Sequence, residues 1–339
     1  MEQSILQLFP SRYREFWRRT AKEQKHIQEI RMRVGRPVVL HREGRELFLT
    51  EEGEFTDVTP YAHCAGEREL EETLDHICHY SPYAFEEELR RGFITVAGGH
   101  RVGVAGQAVL EADGTLRTLK NISYLNIRVA HQKKGAADGI LSEMYSNGRL
   151  KNTLIISPPG CGKTTLLRDL IRQISNGSVY GRGMNVGVVD ERSELAGSFM
   201  GRPQNDLGMR TDVLDGCPKD MGMLMLLRSM SPQVIAIDEI GSDEELSALR
   251  RAAACGCKIL ATVHGESMRD VESRFGWEPS LWSGMFDLLL VLGKEKGKCI
   301  IRQVYERGDG HAESDGRMYD FHRMPGPGTV VPGAAEWQN

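Results

Sequence analysis

The sequence has no apolar run long enough to cross a membrane. Forty per cent of its 339 residues are hydrophobic, but its best candidate, residues 286–293, has the length of a strand. A spanning helix needs roughly 20 such residues. The N-terminus is mixed and charged and lacks the apolar core of a signal peptide. We therefore expect a cytoplasmic protein without a transmembrane segment, able to dock on a membrane as a peripheral protein.

Charge of one sign is not in excess, and cysteines are few. A formal net charge of −4 argues against a nucleic-acid-binding protein that relies on bulk electrostatics. The chain also lacks a stretch in which aromatic and basic residues alternate, as they do in single-strand-binding grooves. Seven scattered cysteines, an odd number, are not typical of a disulfide framework. We therefore expect free thiols and no nucleic-acid partner.

Two kinds of pattern divide the chain near residue 135. Residues 1–135 mix helical and alternating stretches and predict a smaller α+β domain. In residues 136–307, apolar runs of strand length alternate with amphipathic helices, which predicts an α/β domain with a mainly parallel sheet. Residues 308–339 contain many glycines and prolines and predict a partly disordered tail. Residues 190–219 show no sustained period, and loops of that length are usually functional.

A phosphate-binding loop lies between a predicted strand and a predicted helix. The stretch SPPGCGKTT matches the end of the P-loop (Walker A) pattern, while Ser157 replaces its first glycine. Gly160 and Gly162 let backbone N–H groups turn toward an anion at the positive end of the helix. Lys163 is expected to bridge the β- and γ-phosphates, and the Thr164 hydroxyl to bind Mg²⁺. The predicted nucleotide-binding residues are Ser157, Pro158, Pro159, Gly160, Cys161, Gly162, Lys163, Thr164 and Thr165.

The predicted nucleotide is ATP. The chain has no Asn-Lys-x-Asp guanine signature and no Leu-Ser-Gly-Gly signature of an ABC cassette. These two absences argue against GTP and against an ABC transporter subunit.

Carboxylates follow two further apolar runs. Asp238 and Glu239 end the run VIAI, and Asp190 and Glu191 end the run VGVV. Since parallel strands deliver their carboxyl ends to the ligand edge of a sheet, we expect all four near the phosphates. Asp238 is the predicted metal carboxylate, whereas Glu239, Glu191 and Asp190 stay open as the base that activates water. A fourth strand brings His264 to the same edge, where we expect it to contact the γ-phosphate or the water.

Together these motifs resemble the secretion-ATPase superfamily, the hexameric motors of type II and type IV secretion and of type IV pili. The segments VVDERSE, MSPQVIAIDEIG and ATVHGES follow the P-loop in the order of that superfamily's Asp box, Walker B segment and histidine box. The resemblance implies a RecA-like P-loop domain, preceded by a smaller α+β domain, that works as a ring with ATP and Mg²⁺. Asp238 stands where many of these motors have glycine, which favours Glu239 as the base.

The resemblance also implies that arginines reach the phosphates from the small domain of the same or the next subunit. Arg101 and Arg128 lie on predicted strands that lead to the linker, and Arg210 lies in the long aperiodic segment. These three arginines are the candidates for that role.

Longer segments are similar to a sporulation family of endospore-forming bacteria within this superfamily. They include ISPPGCGKTTLLRD, DERSELAGS and QNDLGMRTDVLDGCPK. This resemblance implies a motor or assembly ATPase at the mother-cell membrane around the forespore. Its expected partners are further copies of itself, as a hexameric ring, and membrane-embedded sporulation channel proteins.

Two other functions stay open at this point. One is a RecA-like nucleic-acid translocase, whose ATP turnover DNA would stimulate. The other is an assembly scaffold whose bound nucleotide only stabilises the fold, and which would work without Lys163 or Glu239.

Overall fold

The computed structural model describes residues 4–79, 85–90, 92–276, 284–295 and 298–306. They belong to two compact units. The first unit runs to Gln132 and also includes Ala196–Asp206, and the second comprises Lys133–Leu195 and the chain from Leu207 onward. The predicted tail, 308–339, lies outside the described residues, and the predicted domain division stays a prediction. Among the described residues, no helix is long and apolar enough to cross a membrane.

The first unit is built on an antiparallel sheet. Its strands are β1 (Ile27–Arg33), β2 (Val39–Arg42), β3 (Arg45–Leu49), β4 (Phe55–Thr56), β5 (Phe93–Thr95), β6 (Arg101–Leu110) and β7 (Leu116–Arg128), and its helices are α1 (Arg18–Lys22), α2 (Glu67–Ile77) and α3 (Glu86–Arg90). Within the described residues the strand order is β4-β3-β2-β1-β7-β6-β5. From Ile30 to Arg33, buried and half-buried residues alternate along β1, as expected when one face of a sheet covers a core.

Aromatic stacking anchors the N-terminal segment to this core. The rings of Phe9 and Trp17 are stacked with centroids 4.1 Å apart, and both side chains are fully buried. They belong to the same apolar cluster as Ile30, Leu40 and Ile94 on three strands of the sheet. The stretch before β1 forms only short helical segments, and both rings lie in it.

A buried histidine joins three parts of the first unit. The ring Nδ1 of His100 accepts a hydrogen bond from the Ala130 N–H at 3.0 Å, so its Nε2 carries the proton and donates to Ser4 Oγ at 2.7 Å. Gln24 Nε2 donates to the same Ser4 oxygen at 2.7 Å. Burial, with a smaller effect of nearby His131, lowers the pKa of His100 to about 4. The neutral ring is therefore part of the folded structure.

Acidification is expected to destabilise the first unit through His100. In the unfolded chain the histidine binds a proton near pH 6.5, whereas in the folded chain its pKa is about 4. The stability contribution of the neutral ring is therefore fully present above pH 6.5 and is lost as the pH falls toward 4. The loss should approach about 3 kcal/mol at pH 4, at 1.36 kcal/mol per unit of pKa difference.

Urea unfolding between pH 4 and 8 checks this expectation, with His100→Gln as the test variant. The variant should be less stable at pH 7 and should lose less stability on acidification than the wild type. His63→Gln is the control, because Glu69 raises the pKa of His63 to about 9 against the opposing effect of burial. The contribution of the charged His63 ring to the free energy of unfolding changes only between pH 6.5 and 9. If the free energy of unfolding falls equally with acidification in His100→Gln and in the wild type, His100 is not the group responsible.

The second unit is built on a mainly parallel sheet. Its strands are β8 (Tyr145–Ser146), β9 (Arg149–Leu150), β10 (Thr153–Ser157), β11 (Val186–Asp190), β12 (Thr211–Asp215), β13 (Val234–Ile237), β14 (Lys258–His264), β15 (Leu288–Glu295) and β16 (Lys298–Glu306), and its helices are α4 (Lys163–Asn176), α5 (Lys219–Ser229), α6 (Asp243–Ala254) and α7 (Met268–Phe275). In the described residues the sheet order is β12-β11-β13-β14-β10-β15-β16. Among the described strands of this sheet, only the last pair, β15 and β16, is antiparallel. β8 and β9 form a separate antiparallel pair.

The central strands are apolar because the sheet is covered on both faces. Every residue of β10, β11 and β13 is buried. A strand with one solvated face would alternate instead. Continuous apolar runs alternating with helices therefore predicted the parallel sheet correctly, and its carboxyl-terminal edge is where the strand ends of β10, β11, β13 and β14 meet.

The aperiodic segment 190–219 contains a strand that its sequence does not indicate. β12 pairs in parallel with β11, with Val186 opposite Thr211 and Asp190 opposite Asp215. Four of its five residues are only half-buried and the fifth is exposed, because β12 lies at the edge of the sheet. The strand is too short and too weakly apolar to stand out in sequence.

The middle of the same segment belongs to the first unit. There the side-chain oxygen of Gln204 accepts from the Gly98 N–H at 2.8 Å. The side chain of Gln132 donates to Asp206 O at 2.7 Å and accepts from Asp206 N at 3.0 Å. Phe199 packs against the core of the first unit. The chain between β11 and β12 therefore leaves one unit, joins the other and returns.

Candidate active site

The phosphate loop connects β10 to α4. Gly160 and Gly162 have φ angles of 67° and 82°, a region that favours glycine. A Cβ at Gly162 would also lie 3.2 Å from Cys299 Sγ. Gly162 is the N-cap residue of α4, and no side chain caps this end of the helix. The backbone N–H groups there can therefore be satisfied by an anion.

Ser157 shows why the first glycine of the P-loop pattern is dispensable here. It is the buried last residue of β10, and its φ angle is not positive. Its hydroxyl donates to Pro158 O at 2.9 Å. An ordinary strand residue therefore suffices at this position.

Three side chains converge on Asp238, the residue after β13. The Thr164 hydroxyl donates to its Oδ2 at 2.8 Å, and the Thr262 hydroxyl donates to its Oδ1 at 2.7 Å. Lys163 Nζ lies 3.8 Å from Oδ1, and its side chain is 9% exposed. The sheet order explains this convergence, because β14 lies between β13 and β10. A hydroxyl and a carboxylate are hard oxygen donors of the kind that Mg²⁺ prefers, so this pair fits the metal.

Glu239 has a backbone conformation that is unusual for its residue type. Its φ angle is 60°, in the left-handed region that costs a residue with a Cβ about 1–2 kcal/mol. Its N–H donates to Thr262 Oγ1 at 2.8 Å, and its carboxylate lies 3.5 Å from Lys163 Nζ and 3.7 Å from His264 Nε2. Such conformations persist where the surroundings enforce them, and they cluster at functional sites.

The charge of Glu239 is set by its neighbours. Partial burial would raise the pKa of its carboxyl group, but the charges of Lys163, His264 and Arg192 outweigh burial and lower it. The group is therefore a carboxylate at neutral pH, which is the form that accepts a proton.

His264 ends β14 beside the last residue of β10. The two strands place Ser157 and His264 opposite each other. Because a carbonyl oxygen only accepts, the His264 Nδ1 donates to Ser157 O at 3.2 Å, which directs Nε2 toward Glu239. A cavity of about 480 Å³ opens here, lined by Pro158, Pro159, Glu239 and His264 among others. The histidine predicted from its strand end thus lies beside the candidate base.

The acidic box, which comprises Asp190, Glu191 and Glu194 of the segment VVDERSE, lies beside Glu239. Asp190 is 2% exposed, and its Oδ1 accepts from the Glu194 N–H at 2.8 Å. A small cavity of about 20 Å³ lies between these residues and is lined by the acidic box together with Lys219, Asp238 and Glu239. That volume suits a single water molecule. Of the three candidate bases, Asp190 is the least accessible, which favours the two glutamates.

A profile of the family described as sporulation stage III, protein AA matches residues 1–311. The chain belongs to this family. Stage III sporulation protein AA of Bacillus subtilis (strain 168) is 42% identical over 288 residues, which covers 85% of this chain and 89% of the relative. The family accounts for the long sequence segments shared with sporulation proteins.

Solved structures show the same fold at low identity. The ATPase DotB of Legionella pneumophila superposes with a TM-score of 0.54 at 18% identity, over 86% of this chain and 79% of its own. The pilus retraction motor PilT, solved with bound ADP, superposes with a TM-score of 0.55 at 14% identity, over 84% of this chain and 82% of its own. The predicted fold class, a RecA-like domain with a mainly parallel sheet that follows a smaller α+β part, is confirmed.

The predicted arginines occupy two different places. In the first unit, Arg101 and Arg128 are partners across β6 and β7, and the Arg101 guanidinium lies 5.1 Å from the Phe93 ring centre. In the second unit, Arg210 Nη1 donates to Ser175 O at 3.0 Å, at the C-terminal end of α4. At 1.5 Å per residue this is about 18 Å along the helix from Lys163. Within this unit Arg210 therefore satisfies helix carbonyls, and the catalytic roles of all three stay predictions.

Lys219 is the site residue that sequence reasoning missed. Its side chain is 10% exposed, and its Nζ donates to the Glu239 carbonyl oxygen at 2.6 Å. A lysine at the end of an aperiodic segment carries no local signal. Only the position of α5 beside the turn after β13 brings it to Glu239.

Proposed function

We propose that the chain is a Mg²⁺-dependent ATPase that hydrolyses ATP to ADP and phosphate. The observation that carries the proposal is the meeting of Lys163, Thr164, Asp238, Glu239 and His264 at one edge of the sheet. Each lies within 4 Å of another member of this set. The membership in the sporulation family and the secretion-ATPase fold support the same reading.

Binding follows from the geometry of the loop. The phosphates lie at the N-terminus of α4, where backbone N–H groups and the helix dipole favour an anion. Lys163 exchanges its contacts with Asp238 and Glu239 for contacts with the β- and γ-phosphates. Thr164 and Asp238 hold Mg²⁺, which neutralises part of the phosphate charge when bound.

Hydrolysis requires a carboxylate that orients water. Glu239 accepts a proton from the water as the water oxygen bonds to the γ-phosphorus and the bond to the β–γ bridging oxygen breaks. His264 contacts Glu239 from the phosphate-loop side and is placed to respond to loss of the γ-phosphate. Glu191 is the alternative base, since it lines the small cavity beside Glu239.

The cellular role we propose is that of a motor or assembly ATPase in endospore formation. It acts as a ring of identical copies, expected to be a hexamer, bound peripherally to the inner face of the mother-cell membrane around the forespore. There it energises a membrane-spanning channel complex. The support is the sporulation family and the fold shared with a pilus retraction motor and with DotB.

ATP turnover and particle mass, each with and without Mg²⁺ and ATP, test the proposal. We expect Mg²⁺-dependent phosphate release and a nucleotide-dependent increase in mass. Turnover should not change on addition of single- or double-stranded DNA. Strong DNA stimulation would favour the translocase, and tight ATP binding without any turnover would favour the scaffold.

A further inference from the structure

Lys219 is a buried cation with three acceptors. Its Nζ lies 2.6 Å from the Glu239 carbonyl oxygen, 3.1 Å from Glu245 Oε1 and 3.5 Å from Glu191 Oε2. A lysine ammonium has three N–H donors, so the number of partners matches. A buried charge is retained only when it is paired in this way. The arrangement is therefore specific rather than a surface ion pair.

Two of these contacts fix the backbone around Glu239. Lys219 Nζ donates to the carbonyl oxygen of Glu239. On the other side of the Glu239 Cα atom, the Glu239 N–H donates to Thr262 Oγ1 at 2.8 Å. Glu245, the second partner of Lys219, also binds this turn, because its Oε2 accepts from the Gly241 N–H at 2.7 Å. Glu239 has a φ angle of 60°, which a residue with a Cβ adopts only when it is held there.

The third contact reaches the acidic box. Glu191 follows the last residue of β11, whereas Glu239 follows β13 by two residues. One ammonium thus joins the ends of two neighbouring strands, and each end carries a candidate base. Glu191 and the Glu239 backbone therefore share one cationic partner.

We propose that Lys219 is a positioning residue that holds Glu239 in its hydrolytic conformation and couples it to Glu191 of the acidic box. The inference deepens the proposed ATPase function and rests on it. Lys219 makes no contact with Lys163 or with the phosphate loop among the contacts described, so ATP binding should not depend on it. Its loss should affect the chemical step.

The test compares Lys219→Met, Lys219→Arg and Lys151→Met in the full chain. Lys151 is the matched control because it too is a buried lysine, donating to Glu143 O at 2.9 Å and pairing with Glu306 at 2.6 Å. It precedes β10, whereas the phosphate loop follows that strand. Lys151→Met therefore removes an equivalent buried charge away from the strand ends that carry the site.

Lys219→Met should lower kcat by about 10- to 100-fold, the size of effect that misplacement of a catalytic group by about 1 Å produces. ATP affinity, measured by titration with a fluorescent ATP analogue, should stay close to that of the wild type. Lys219→Arg should recover part of the lost kcat. Lys151→Met should lower the melting temperature about as much as Lys219→Met but keep the wild-type kcat.

Three results would overturn the inference. An unchanged kcat in Lys219→Met would do so, as would an equal fall in kcat and affinity, or an equal kcat loss in Lys151→Met. If Lys219→Met does not fold, Glu245→Gln serves instead, and an unchanged kcat there has the same meaning. If the wild-type protein binds Mg²⁺-ATP but does not hydrolyse it, the proposed function fails as well. If the wild type hydrolyses ATP and one of the three results above is found, only the inference about Lys219 fails.

Discussion

An alanine at Lys163 is expected to weaken ATP binding by about 10- to 100-fold, because a hydrogen bond from a charged donor contributes about 1.5–3 kcal/mol. Its ammonium group is nearly buried and lies between Asp238 and Glu239 at the N-terminus of α4. Loss of this cation leaves two carboxylates beside the phosphates without compensation. ATP turnover should therefore fall further than binding, and below detection at ordinary ATP concentrations.

Titration with a fluorescent ATP analogue and a phosphate-release assay measure both effects. Lys258→Ala is the control, because Lys258 also pairs with a carboxylate, that of Asp287 at 3.9 Å. Lys258 is the first residue of β14, at the opposite end of the strand from His264. It should match the wild type in affinity and turnover. A Lys163→Ala protein that binds ATP as well as the wild type would place the phosphate site elsewhere.

A glutamine at Glu239 is expected to separate binding from hydrolysis. An amide accepts no proton, so turnover should fall by about 10²- to 10⁴-fold, the contribution typical of a general base. Binding should be retained or strengthened, because the change removes one negative charge beside Lys163 without changing the size of the side chain. The protein should therefore accumulate with ATP bound, which retention of radiolabelled ATP after rapid gel filtration detects.

The same assay decides between the two glutamates. Glu191→Gln should reduce turnover less than Glu239→Gln, since the Glu191 carboxylate pairs with Lys219, whereas the Glu239 carboxylate pairs with Lys163. Glu244→Gln, an exposed substitution in the first turn of α6, controls for the change in net charge. Normal hydrolysis in Glu239→Gln with loss in Glu191→Gln would move the base to the acidic box.

The phosphate loop and the parallel sheet were predictable because their determinants are local. Gly160, Gly162, Lys163 and Thr164 are near neighbours in sequence, so their spacing alone indicates an anion site. The burial of β10, β11 and β13 on both faces appears in sequence as apolar runs, because neither face is open to water. The placement of Asp238 and His264 followed from a rule of parallel sheets, which brings strand ends to one edge.

The use of Lys219 and Arg210 was not predictable, because each acts on a partner distant in sequence. Lys219 contacts Glu239, twenty positions away, and Arg210 satisfies a carbonyl of α4 thirty-five positions away. The segment Ala196–Asp206 joins the first unit through Gln132 and Gly98, which no spacing within the segment indicates. Edge strand β12 was not predicted, because its residues are only partly buried and therefore do not form an apolar run.

The sequence alone indicated the phosphate loop, the class of sheet and the set of acidic residues at its edge. These depend on glycine conformations, apolar periodicity and helix polarity, which each act over a few neighbouring residues. Only the tertiary structure decided how the acidic residues differ from one another. Asp190 is buried and accepts a hydrogen bond from the Glu194 N–H, whereas Asp238 accepts hydrogen bonds from Thr164 and Thr262. Glu239 has a left-handed backbone, and its carbonyl oxygen accepts from Lys219. The physical reason is that burial, charge pairing and backbone strain arise from groups that only the folded chain brings together.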